Sequence, residues 1–253
     1  MARKDPPFFV GYMPMPSRLK GFLSLASLLL ILAFAGAAWL ISTSQSDPGP
    51  GAFRFDYGPQ TLTGVLELTP EPMLHVTEGT ERVPTGQTIM LSSGAKRGLG
   101  GRGVPLDGQV VSARGIVLER GTLNMLQVQG RGDALVAVED ATPPQIAYED
   151  LGRWRLTGEI CDGKCLAGAM RPGRGIAHKA CANLCIVGGV PPVFVSTQPV
   201  EGSEFLMVGG MGMSERPQVM LDMVGEYVTL EGQVEKRGDL LIFTPDYETV
   251  ARP

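Results

Sequence analysis

TLTGVLEL at residues 61–68 and RLTGEICD at residues 155–162 read as two copies of one strand, and the stretches downstream of each copy repeat as well. GQTIMLSS (86–93) is matched by GSEFLMVG (202–209), and ARGIVLERGTLNML (113–126) by LEGQVEKRGDLLIF (230–243). In both of the last two stretches an alternating strand runs into Arg-Gly, at Arg120-Gly121 and Arg237-Gly238, and a second apolar strand comes after it. That is the pattern of a β-hairpin turning at glycine. Strands, turn glycines and their order agree between the copies, which predicts a duplication. Each copy offers about five short strands, the number that builds a small, partly open barrel of the oligonucleotide/oligosaccharide-binding (OB) type. The predicted fold class is therefore all-β: an N-terminal transmembrane helix, then two tandem small OB-like β-barrels, the second with a Cys-rich loop-helix insertion. A single larger sandwich is the structural alternative.

The copies differ in one respect. From Gly64 to Gly115 is 51 positions, and from Gly158 to Gly232 is 74, so the second copy carries about 23 additional residues. All four cysteines fall in that addition, which spans 161–190. Loops vary while barrels persist, so an elaborated loop is where a site is expected. Asp162-Gly163 predicts a turn that brings Cys161 and Cys165 back toward each other. From Ile176 to Val187 the pattern becomes helical, and Gly188-Gly189 with Pro191-Pro192 ends it. On that helix His178, Cys181 and Cys185 stand at i, i+3 and i+7, which places them on one face.

Two chemistries compete for this window. As metal ligands, Cys165, His178, Cys181 and Cys185 are the expected four, with Cys161 as substitute, and zinc or copper as the ion. As disulfides, the four cysteines would staple a glycine-rich insertion that has little apolar surface of its own. A crowd of methionines, Met207, Met211, Met213, Met220 and Met223, adds soft thioethers suited to copper, although methionines also fill irregular cores.

Gly21 to Ser42 is uncharged and mostly apolar, about the 20 residues a helix needs to cross a bilayer. Arg3, Lys4, Arg18 and Lys20 precede it, and the first charge after it is Asp47. The positive-inside rule then leaves the N-terminus in the cytoplasm and the rest periplasmic or otherwise extracytoplasmic, on a single-pass anchor in the inner (cell) membrane. A cleaved signal peptide is the rival, with small residues at Ala33-Phe34-Ala35, but the apolar run continues through Ile41. The stretch FFVGYMPMP (8–16) suits a membrane interface or a partner's surface. The whole chain has net charge -4 and the segment through Ser42 is basic, so the exported part is acidic. Acidity disfavours nucleic acid and anionic lipid surfaces as partners.

The expected organisation is a cytoplasmic segment (1–20), the anchor (21–42), a linker (43–59), the first module (60–140), a connector (141–153) and the second module (154–253). His75 is expected to be a surface or hydrogen-bonded histidine, GLGGRG (98–103) a mobile loop, and Asp140, Glu149 and Asp150 a solvated connector. Hydrolase signatures such as Gly-x-Ser-x-Gly and His-Glu-x-x-His are absent from the sequence, so any catalysis would run through cysteine or a bound metal. The sequence therefore favours a noncatalytic accessory or subunit of a membrane-associated redox assembly, partnered by an integral membrane or periplasmic protein. The alternative is a thiol-disulfide oxidoreductase or metal-handling protein acting through Cys181 and Cys185.

Overall fold

The computed structural model describes residues 16–44, 48–130, 132–210 and 216–252. Most of FFVGYMPMP, the basic residues Arg3 and Lys4, and Met211 and Met213 lie outside the described residues. Helix α1, Ser17–Ser44, is basic at its start, at Arg18 and Lys20, and apolar all round beyond it, and its most apolar 18-residue window has a mean hydropathy of 2.3. It is long and apolar enough to cross a membrane. It forms a unit of its own, and residues 48–253 form the other.

The second unit is built from β1 (Ala52–Phe53), β2 (Gln60–Glu67), β3 (Met73–Glu78), β4 (Thr88–Ser92), β5 (Val110–Arg120), β6 (Leu123–Val128) and β7 (Leu135–Ala137). Next along the chain are β8 (Tyr148–Asp162), helix α2 (Lys179–Val187), β9 (Pro192–Val200), β10 (Ser203–Val208), helix α3 (Gln218–Met223), β11 (Val228–Arg237) and β12 (Leu240–Ala251). Strands β8 to β12 close into a five-stranded barrel in the order β10-β12-β11-β8-β9. The earlier strands form a seven-stranded sheet, broader than the barrel expected of that half, because β1 and β7 both attach to β5. Within it the pairing order of the second half recurs: β2 with β3, β3 with β4, β4 parallel to β6, β6 with β5, and β5 with β2. Its counterpart of the parallel β4–β6 pair is β10–β12. Strand β8 starts at Tyr148, inside the stretch expected to be connector.

The repeat's own glycines explain why the same bends occur twice. A Cβ on Gly64 would lie 2.3 Å from the His75 carbonyl oxygen, and on Gly158 2.1 Å from that of Val195. On Gly115 it would meet Gln127 O at 2.3 Å, and on Gly232 Thr244 O at 2.3 Å. At each site two strand backbones approach more closely than any side chain permits.

Each half has its own core, Leu62, Leu66, Leu74 and Leu91 among others in the first, and Ile160, Phe194, Leu206 and Phe243 in the second. A third apolar cluster joins them: Met73, Met90, Leu118 and Met125 pack with Leu166, Val193, Met207 and Ile242. Met207, Met220 and Met223 are all buried in these clusters, the gap-filling role that suits a flexible thioether.

Candidate metal centre

The insertion joins β8 to β9, and its geometry starts from Asp162 at the end of β8. One carboxylate oxygen accepts the Cys165 backbone N–H at 2.8 Å, an Asx-type turn that begins the short π-helical turn Cys165–Ala169. The other oxygen lies 3.1 Å from His178 Nε2. A 3-10 turn, Ile176–His178, then delivers the chain into α2, which carries Cys181 and Cys185. Glu159, buried on the same strand, accepts the Gly175 N–H at 3.0 Å and anchors the intervening loop. At the helix's far end Gly189, at φ +89°, turns the backbone out, and Arg216 Nε donates to the Ile186 carbonyl at 3.0 Å.

The donor atoms converge in two groups that share one sulfur. Cys165, His178 and Cys181 offer atoms within 4.8 Å of one another, and so do Asp162, Cys165 and Cys185. The Cys165 and Cys185 sulfurs are 3.9 Å apart. Cys161 belongs to neither group. Asp162, Cys165, His178 and Cys185 are all buried, whereas Cys181 is half-buried and lies nearest to solvent.

Of the two readings of the window, disulfides are not formed: all four cysteines are free thiols. The 3.9 Å between Cys165 and Cys185 is nearly twice a disulfide bond of about 2.05 Å. With Cys161 outside both groups, two bridges do not result from this arrangement.

The first half completes the site. Lys96 reaches across from the 93–98 loop, its Nζ 2.6 Å from Cys181 Sγ and 3.8 Å from Cys185 Sγ. The loop is held there by the buried Lys164, whose ammonium donates to the carbonyls of Ser93 at 2.5 Å and Ala95 at 2.7 Å. Gly98 N–H also donates to Gly188 O at 2.9 Å, and Leu99 is buried. The stretch expected to be a mobile loop is therefore docked at its start, because the backbones of the two halves are hydrogen-bonded there.

The electrostatics separate the thiols. Its hydrogen bond with Cys185 holds the Cys165 thiol well above the ordinary range, and burial and the Asp162 carboxylate add to this. The same bond lowers Cys185 against burial, with the Lys96 charge assisting. The hydrogen bond thus moves the two adjacent thiols in opposite directions, Cys165 up and Cys185 down. Burial, with the nearby Glu159 and Asp162 charges behind it, pushes Cys161 far up, so it remains a neutral thiol. The Cys181 sulfur raises Lys96, whereas burial lowers Lys164.

Sequence reasoning missed Asp162, Lys96 and Lys164. Asp162 carried a signal, a carboxylate between two cysteines, but it was spent on the turn. Lys96 carried none. His75 is buried and hydrogen-bonded, Nδ1 to Thr88 Oγ1 at 3.0 Å and Nε2 to Glu67 Oε2 at 2.8 Å, and it belongs to neither donor group. No family model, curated protein or solved structure matches this chain.

Proposed function

We propose that this protein is a membrane-anchored, extracytoplasmic accessory or subunit of a redox assembly, and that its folded part holds a soft metal ion, zinc or copper, on cysteine and histidine. The observation that carries the reading is the convergence of Cys165 with His178 and Cys181 on one side and Cys185 on the other. A metal bonded to sulfur at about 2.3 Å bridges two sulfurs 3.9 Å apart at an angle of about 116°, between tetrahedral and trigonal. His178 would bind through Nδ1, because Asp162 already engages Nε2 and orients the ring, as carboxylates commonly do behind a ligating histidine. The Cys165 hydrogen bond, with the Lys96 charge assisting, lowers the Cys185 thiol toward its ligating thiolate form.

The strand order of both halves supports OB-like modules as the scaffold. The anchor is α1, retained rather than cleaved and with the N-terminus cytoplasmic. It confines the centre close to an integral membrane or periplasmic partner and raises their effective concentration. The experiment is metal analysis of full-length protein purified without reductant or chelator. One zinc or copper per chain, lost in C165A, is expected. Metal-free protein that takes up neither ion, with four thiols titratable only after unfolding, refutes the metal reading.

A second reading, thiol-disulfide exchange through Cys181 and Cys185, is favoured by one contact: the Lys96 ammonium lies on both sulfurs and would stabilise an attacking thiolate. It predicts two thiols that oxidise and reduce reversibly as a pair in the metal-free protein.

A further inference from the structure

We propose that Met170 is the outer donor of this centre and that the ion it admits is copper(I). The inference rests on reading the cluster as a metal site, and it names the ion.

Met170 comes directly after the π-helical turn of Cys165, and its thioether accepts a hydrogen bond from the Cys181 thiol at 3.3 Å. It is 46% exposed. At that exposure burial alone does not fix where the thioether sits, and its contact with the Cys181 sulfur does. The soft donors are thus graded from solvent inward: Met170 exposed, Cys181 half-buried, Cys185 and Cys165 buried at 1% and 4%. An ion that meets Met170 first passes to Cys181 and then to the inner pair, with each sulfur within a few ångströms of the next.

The ligand chemistry selects the ion. A neutral thioether competes poorly with water for zinc, which gains most from thiolates, imidazole and carboxylates, whereas thioethers are good ligands for copper(I). Charge does not separate the two ions: three thiolates leave one negative charge around zinc and two around copper(I), and Lys96, its ammonium 2.6 Å from Cys181 and 3.8 Å from Cys185, offsets one charge in either case. On binding, the S–H bonds of the ligating cysteines give way to metal–sulfur bonds, the Met170 thioether donates a lone pair, the protons pass to water, and no oxidation state changes.

The test uses the full-length chain in lipid nanodiscs under anaerobic conditions. Copper(I) is titrated against a chromophoric copper(I) chelator, and zinc against a chromophoric zinc chelator, in the wild type, M170L and C185A. Met170→Leu preserves size and apolarity and removes only the sulfur. The expected result is roughly tenfold weaker copper(I) binding in M170L with zinc binding unchanged, and loss of both ions in C185A. Equal copper(I) affinity in M170L and wild type overturns the proposal, as does bound zinc that copper(I) fails to displace. If the wild type binds neither ion, the metal reading itself has failed. If it binds zinc normally and M170L changes nothing, only the copper assignment has.

Discussion

Replacing Gly98 by alanine tests whether the two halves truly meet at the centre. A Cβ there would stand 1.7 Å from the Gly189 carbonyl oxygen and 2.3 Å from its carbon. Both are backbone atoms, so no rotamer change relieves the clash. The reverse side is equally tight, since a Cβ on Gly188 would meet Lys96 O at 2.0 Å. Forced backbone shifts of this kind cost about 1–3 kcal/mol. At about 2–4 °C per kcal/mol for a unit of this size, the melting temperature should fall by about 2–12 °C. If the loop detaches locally before the fold melts, the same energy raises its open population about 5- to 150-fold. Labelling of the buried Cys185 by a maleimide under native conditions should accelerate by up to that factor. Gly101→Ala is the control: it lies in the same glycine-rich stretch, nothing stands within 4 Å of its Cβ, and it should behave as wild type. A G98A protein that melts within about 1 °C of wild type and labels at the same rate would show that the loop does not dock, and the contributions assigned to Lys96 would go with it.

Other substitutions probe the supports separately. Phe243→Ala removes a ring packed 5.1 Å from that of Phe194 inside the closed barrel, and should cost about 3–5 kcal/mol in urea unfolding; a loss below about 1 kcal/mol contradicts that core. Lys164→Met deletes the donor to two carbonyls of the docked loop and should cost about 1.5–3 kcal/mol, measured the same way, with no loss if the ammonium is solvated instead. Burial pushes the Glu71 carboxyl from 4.5 up to about 8, against the attraction of Arg216. The folded chain then holds a proton that the unfolded chain releases, so this group's contribution is full below pH 4.5 and is lost as pH rises through about 8. Glu71→Gln should flatten that decline in a pH series of unfolding midpoints, and parallel wild-type and E71Q curves would show that Glu71 ionises normally.

The strands that the repeat marks were legible because each carries its own signal: apolar alternation, and a glycine wherever two backbones cross. Strand β1 and strand β7 were not, since two and three residues are too few to show a period and both depend on β5 for their hydrogen bonds. The start of β8 was hidden for a different reason. Tyr148-Glu-Asp-Leu-Gly-Arg is polar and mostly exposed, and it is a strand because its backbone pairs with β11. In the candidate site, cysteine density and helical spacing pointed to His178, Cys181 and Cys185. Lys96 stands 85 positions from Cys181, in a loop whose glycines read as freedom. Those glycines instead permit contact, a distinction that only the opposing backbone makes.

That contact also explains why the cysteine cluster of the insertion lies against the first half. Asp162 and Lys164 are charged groups almost wholly out of water, and isolated burial of either would cost several kcal/mol. Asp162 is satisfied inside the insertion by His178 and the Cys165 N–H, but Lys164 finds its carbonyl acceptors only in the first half. Across the same boundary Arg216 joins Glu71 at 2.8 Å while also holding the end of α2. The insertion therefore has no complete set of polar partners within its own barrel. The first half supplies the surface against which this polar, glycine-rich loop closes, and Lys96 from that surface reaches the sulfurs. The isolated second half should accordingly leave the ammonium of Lys164 and the guanidinium of Arg216 without these acceptors. Its cysteines should then react with maleimide faster than those of the intact protein, even where its own barrel still folds.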